Sequence, residues 1–283
     1  MVENQITHAR VSTATQIGTI TKYNFLNYFR ARRFYVMLVI VLIISALFTF
    51  LVAYYQPAQL VGASSPLGFY RTGWGGFATF VVVLSTAFFG GDAISNEFQS
   101  RTGYFLVPNP IRRSAIYVGK WLAALGASSI ILAIFALIMI GNGLYYYPWS
   151  IPWGMVQSLA YAWLYLVAAL SLAFAFSSLF KSSAISILMS VILLLFVFDF
   201  VDVIVSSLAG IEPWFSITYG AGIISSILAD TYPNHVITIQ AGPRFSLTSY
   251  NATLPEGIVI LTAYFVVFAI LGLWLFQRKE FTT

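Results

Sequence analysis

Apolar residues run along this chain in long blocks separated by clusters of charge. A helix needs about 20 apolar residues to cross the hydrocarbon core, and a charge at its centre is costly, so the gaps between charges locate the crossings. Phe34 to Tyr55, a run of Val, Ile, Leu and Phe, predicts the first, followed by a polar turn with Pro57, Ser64, Ser65 and Pro66. Trp74 to Ser95 predicts the second, with Asp92 at its end beside Gly90 and Gly91. From Trp121 to Phe180 there is no charge at all. As one helix that stretch would be about 90 Å long, about three times the hydrocarbon thickness, so it must fold back. Tyr145-Tyr-Tyr-Pro-Trp-Ser-Ile-Pro-Trp-Gly154 supplies prolines and interfacial aromatics where such a hairpin bends.

The pattern therefore predicts an all-α integral membrane protein with six transmembrane helices, at 34–55, 74–95, 121–143, 155–180, 184–205 and 257–276. The segments left for water are 1–33, the loop 96–120 and the long connection 206–256. One stretch competes with this count. Trp214 to Ala229 is apolar enough to resemble a short span, yet it is too short for a full crossing and is interrupted by Gly220 and Gly222. A re-entrant or interfacial pair of short helices between spans five and six is the preferred reading.

Charge then gives the helices a direction. With six spans, Arg10, Lys22, Arg30, Arg32, Arg33, Arg101, Arg112, Arg113, Lys120, Lys181, Arg278 and Lys279 share one side, which is twelve of the fourteen basic residues. The positive-inside rule makes that side the cytoplasm, so both ends are expected inside. Arg71 and Arg244 lie opposite, with Glu212, Asp230 and Glu256.

Composition narrows the chemistry. The 283 residues are 59% hydrophobic and 8% charged, against about a quarter charged in a soluble domain. The net charge of +5 sits beside apolar runs, a topological use of Lys and Arg, so nucleic-acid binding is set aside. Without cysteine there is no disulfide or thiolate, and the two histidines, His8 and His235, are far apart in sequence. The first 33 residues hold no apolar core followed by a cleavage site, so the first span is expected to serve as the insertion signal. A membrane-embedded enzyme would need catalytic groups at depth, and the spans offer no His, no Cys and only peripheral acids.

The most charged stretch runs from Asp92 to Lys120. Glu97 and Arg101 have the i, i+4 acid-before-base spacing of a short exposed helix that Gly103 could end, and Pro108 and Pro110 enforce a bend before the chain re-enters a helix. Taken singly, Arg112, Arg113 and Lys120 read as ordinary loop bases obeying the positive-inside rule. Taken together, Glu97, Thr102-Gly103, Leu106, Pro108 or Pro110, Arg112 or Arg113, and Gly119-Lys120 resemble the loop after the second span of type-2 ATP-binding-cassette (ABC) permeases. The resemblance extends to the six-span plan, the aromatic and basic segment before span one, the long connection between spans five and six and the short basic tail. The order Thr-Gly and the doubled Pro-Asn-Pro depart from the commoner form of the motif.

That resemblance implies a type V exporter-like architecture in which Glu97, Arg101, Thr102, Gly103, Pro108, Pro110, Arg112 and Arg113 form a coupling element seated on a separate ATPase subunit. It also implies that Gln16 to Arg33, with Tyr23, Phe25, Tyr28 and Phe29, is an elbow helix, although its apolar residues form no clean stripe. ATP and Mg would be bound by the partner, because the chain has no phosphate loop of its own: Gly119-Lys120 has Ser114 in place of the first Gly and Trp121 in place of Ser or Thr. The chain is accordingly expected to be no enzyme and to hold no cofactor or metal. The implied partners are ABC ATPase subunits, a second permease copy or paralogue, and membrane lipid, in a prokaryotic cell membrane. Small residues Ala123, Ala124, Ala127 and Ser128, and Ala169, Ala173 and Ser177, allow close helix approach, within the chain or at a dimer seam.

Asp199 and Asp202 share a helix face near the end of span five. They are candidates for a pathway, gate or dimer contact, against the plainer reading that they reach outer water. A stand-alone channel or ion-coupled carrier using this pair is the competing function. Asn251-Ala-Thr253 forms a glycosylation sequon, a triplet frequent by chance, and His235 reads as loop surface.

Overall fold

Ser12 caps the first helix, α1 (Thr13–Arg30), by accepting from Thr15 N at 3.2 Å. The computed structural model describes residues 12–56, 65–100, 112–148, 151–242 and 245–278, with side chains outside 239–247. Of the expected coupling residues, Arg101, Thr102, Gly103, Pro108 and Pro110 therefore lie outside the described residues.

Ala31, in an extended conformation, ends α1 and turns the chain directly into the next helix. Among the described residues six helices are long and apolar enough to cross a membrane: Arg32–Tyr55, Pro66–Gln99, Arg113–Tyr146, Trp153–Leu179, Ser183–Ser207 and Leu254–Arg278. These are spans one to six below. The second begins earlier than the charge gaps suggest, because Ser65 accepts from Gly68 N at 3.1 Å and Pro66 occupies the first helical turn. Arg71 consequently sits inside the helix, in a π-helical stretch, Arg71–Gly75, with its side chain exposed. The third starts at Arg113, so the last eight residues of the expected loop are helical and Lys120 belongs to a span.

Spans two and four form the centre and are mostly buried, whereas spans five and six are mostly exposed at the surface of the subunit. Trp74, Phe89, Phe135, Tyr165 and Phe174, from spans two, three and four, are fully buried in the core. Ala123, Ala124, Ala127 and Ser128 of span three and Ala169, Ala173 and Ser177 of span four are fully buried within the chain. They serve packing inside this subunit.

Span five shows how sequence period and helix geometry are reconciled. Its inward residues recur every four positions, with Ser186, Ser190, Leu194 and Ser206 buried and Phe198 and Asp202 half-buried. Steps of four drift by about 40° each on a 3.6-residue helix, and the wider π turn at Leu193–Val197 takes up part of that drift.

The connection 206–256 departs from an all-helical reading. It contains two short helices, Ile217–Ala221 and Ile223–Ser226, with Ile217, Ile223, Ile224 and Leu228 fully buried. They are the short helical pair expected at Trp214 to Ala229. A β-hairpin follows, β1 (Val236–Gly242) and β2 (Phe245–Tyr250), paired antiparallel with Val236 opposite Tyr250 and a bulge at Gln240/Gly242. The alternation in Phe245-Ser-Leu-Thr-Ser-Tyr250 is the period-two signal of a strand. The short helices sit tightly on span six: a Cβ on Gly257 would lie 2.4 Å from Ile223 Cγ2 and 2.9 Å from Gly220 O.

Candidate functional site

The charged groups described in the helix bundle collect at its two ends. At the end carrying Arg33, Lys120 and Arg278, span two stops being a regular helix at Gly90, turns through Gly91 to Ile94, and finishes as a separate helical stretch, Ser95–Gln99. This stretch leads into the loop predicted to couple. It is held on three sides. Ser177 of span four accepts from Ile94 N at 2.9 Å and from Ser95 N at 3.0 Å, both buried. Lys120 of span three forms an ion pair with Glu97 and donates to Ala93 O at 2.8 Å. Gln99 Oε1 accepts from Ser183 N, at the start of span five, at 2.9 Å.

Lys120 is 8% exposed, so its ammonium has left water and depends on these partners. As a lone base in the sequence it reads as a loop charge. Its place about two helical turns inside span three could have been found from the run Arg113 to Trp121, which holds no Pro and only Gly119 as a weak helix former. The acid-base spacing of Glu97 and Arg101 pointed elsewhere: the basic partner described for Glu97 is Lys120.

A second ion pair joins the start of span one to the end of span two. Arg33 Nη1 lies 2.6 Å from both carboxylate oxygens of Asp92, a side chain only 5% exposed. Beside it, Tyr28 of α1 donates to Phe89 O at 2.7 Å. Burial, and then the Asp92 charge, hold the Tyr28 phenol far above its ordinary range, so it remains a donor.

Helix α1 lies along span three. Thr13, Gln16, Ile17, Ile20, Thr21, Asn24, Phe25, Tyr28 and Phe29 are its half-buried residues and fall on one face. Hydropathy misses this stripe because four of its members are polar. Thr21 and Asn24 return their side chains to the carbonyls of Ile17 and Ile20, each at 2.8 Å, so the face carries fewer unmet donors than its composition implies. Span three receives the helix at two glycines a heptad apart: a Cβ on Gly119 would stand 2.7 Å from Ile20 Cγ2, and one on Gly126 2.8 Å from Phe25. Arg112 N also reaches Gln16 Oε1 at 3.3 Å, and Arg113 Nη1 donates to Gln277 O of span six at 2.9 Å. The described coupling candidates Glu97, Arg112 and Arg113 thus each touch another element of the same end.

At the opposite end Asp202 Oδ2 accepts from Ser216 Oγ at 2.8 Å and from Thr218 Oγ1 at 2.6 Å, fastening span five to the first short helix. Asp199 is exposed on the flank of span five, between Phe196 and Phe200, which are 64% and 67% exposed. Both aspartates reach Thr218, but Asp202 is half-buried and also holds Ser216, whereas Asp199 is exposed. Trp74 Nε1 donates to Ser158 Oγ at 2.9 Å, and Ser158 in turn to Ile224 O at 2.5 Å, a buried relay joining spans two and four to the second short helix. Asn251 Nδ2, the atom a glycan would occupy, donates to Asn234 O at 2.9 Å.

Comparison with known families matches residues 18–281 to the family described as ABC-2 family transporter protein. No curated protein matches the chain.

Proposed function

The chain belongs to the ABC-2 transporter family, and from that membership we propose that it is the membrane subunit of an ATP-driven exporter that moves its cargo by alternating access. As a permease subunit of an ABC transporter it is a multi-pass membrane protein that works with an ABC ATPase subunit. ATP and Mg are bound and ATP is hydrolysed on that partner. The end with Arg33 and Lys120 faces the cytoplasm of a prokaryotic cell, by the distribution of basic residues.

The observation that carries the coupling proposal is the attachment of Ser95–Gln99 to spans three, four and five at once, through Lys120, Ser177 and Ser183. Force delivered by the ATPase to the adjoining loop, 101–111, would reach three helices through short polar contacts. A second copy of the permease, or a paralogue, completes the pathway. Asp199 supports that pairing: beyond its contact with Thr218 it is exposed on an aromatic flank of span five, which is costly against lipid and better placed at a subunit seam.

The test is purification in mild detergent. An ATP-binding subunit should co-purify with the intact chain and be lost or uncoupled on substitution of Glu97 or Arg101. Transport by the chain alone in liposomes, without any ATPase, would sink the proposal and favour the stand-alone carrier.

A further inference from the structure

Glu212, His235 and Glu256 are far apart in sequence: one lies before the short helices, one leads into β1 and one opens span six. The fold brings them together so that one ligand atom of each lies within 4.8 Å of the other two. Glu212 Oε2 stands 3.4 Å from His235 Nε2, and Glu256 Oε2 stands 3.9 Å from His235 Nδ1. All three side chains are half-buried. Among the described residues no Lys or Arg pairs with either glutamate, so two carboxylates converge on an imidazole with no fixed positive charge between them.

We infer that Glu212, His235 and Glu256 form a binding site for a divalent transition-metal cation, of which Zn²⁺ is the natural probe. An imidazole with two carboxylates is a nitrogen and oxygen donor set suited to Zn²⁺ and leaves a fourth position for water. Tetrahedral Zn²⁺ with bonds of about 2.0–2.2 Å sets its ligand atoms about 3.3–3.5 Å apart, and the Glu212 to His235 separation already meets that value. Glu256 Oε2 lies beside Nδ1 and accepts from Thr253 N at 2.9 Å, so bringing Glu256 onto an ion at Nε2 requires its carboxylate to turn and present its other oxygen.

The surroundings orient the donors as a metal site requires. His235 Nδ1 lies 3.0 Å from Asn251 O; with the proton on Nδ1 this bond fixes the ring and leaves the Nε2 lone pair facing Glu212. Tyr219 donates to Glu212 Oε1 at 2.6 Å and so leaves Oε2 for the ion. Its phenol is driven far above the ordinary range by burial first and the Glu212 bond second, and stays a donor. Bound metal would clasp the hairpin to span six and to the loop before the short helices.

The experiment uses the full chain purified in detergent, stripped with chelator and titrated with Zn²⁺ alone by equilibrium dialysis, with thermal unfolding in parallel. One Zn²⁺ per chain is expected, with a rise in Tm and no displacement by Mg²⁺ or Ca²⁺. Glu212→Gln and Glu256→Gln preserve the acceptors for Tyr219 and for Thr253 N, at 2.9 Å in the wild type, and so should fold. Each, like His235→Ala, should weaken binding by at least the 10- to 100-fold that loss of a mere supporting contact costs. Absence of Zn²⁺ binding, or binding unchanged in all three variants, overturns the site. So does a Tm that responds to imidazole protonation but not to Zn²⁺, since that describes a proton-held clasp. None of these outcomes depends on which ATPase the chain uses or which way it transports.

Discussion

Lys120 of span three and Glu97 of span two form an ion pair in which the side chains are 10% and 20% exposed, and Lys120 also holds Ala93 O at 2.8 Å. Removing one partner of a buried pair costs about 3–5 kcal/mol, because the other is left charged and desolvated, and the residual exposure of Glu97 points to the lower end. Lys120→Met should therefore lower Tm sharply, while Lys120→Met with Glu97→Gln should regain most of the loss. If the pair also transmits force, the double variant will be stable yet fail to raise the activity of the partner ATPase. Recovery of both properties would make the pair structural only.

The Arg33 and Asp92 pair predicts an asymmetry. Asp92 is 5% exposed and cannot reach water, whereas the Arg33 side chain is 36% exposed. Arg33→Ala leaves a buried carboxylate alone and should destabilise by about 3 kcal/mol. Asp92→Asn leaves a cation that can turn to solvent and should cost about 1 kcal/mol or less. Thermal unfolding of the two variants checks the order, and equal losses would mean that Arg33 is held by something other than Asp92.

Docking of α1 on span three can be trapped covalently. The chain has no cysteine, so an introduced pair reports without background. A Cβ on Gly119 would lie 2.8 Å from Ile20 Cβ, shorter than the roughly 3.5–4.5 Å of a disulfide, so a slight parting of the helices admits the bond. Ile20→Cys with Gly119→Cys should crosslink on mild oxidation, seen as a mobility shift reversed by reductant. Ile20→Cys paired with Gly141→Cys, far along the same span, should not.

How much of this was legible in the sequence depended on the kind of signal. The six helices were, because charges are too costly to hide in long apolar runs, and the loop motif was, because its residues are close together along the chain. The partners were not. Lys120 looked like a loop base until helix continuity from Arg113 carried it inside. The stripe on α1 was masked by Gln16, Thr21 and Asn24, whose polar atoms are met by neighbours only once the helix has formed. The convergence of Glu212, His235 and Glu256 spans the whole connection between spans five and six and has no local period. Arg71 marked the wrong start for span two because charge gaps outweighed the capping sequence Ser65-Pro66.

Asp199 and Asp202 are three residues apart, and the structure gives them different duties that substitution can separate. Asp202 accepts two side-chain hydroxyls, and hydrogen bonds to a charged acceptor are worth about 1.5–3 kcal/mol each before the hydroxyls find other partners. Asp202→Ala should therefore loosen the short helices and lower Tm by an amount that Ser216→Ala with Thr218→Val reproduces. Asp199 is exposed on the flank of span five, where replacement of a surface group by an isostere changes stability by about 0.5 kcal/mol or less. Asp199→Asn should leave the Tm of the separated chain unchanged. If a second permease covers that flank, the same variant will weaken the pair, read by the concentration at which the complex dissociates in detergent. If instead transport falls while pairing and stimulation of the ATPase persist, Asp199 faces the cargo, and the flank of span five is the wall of the pathway.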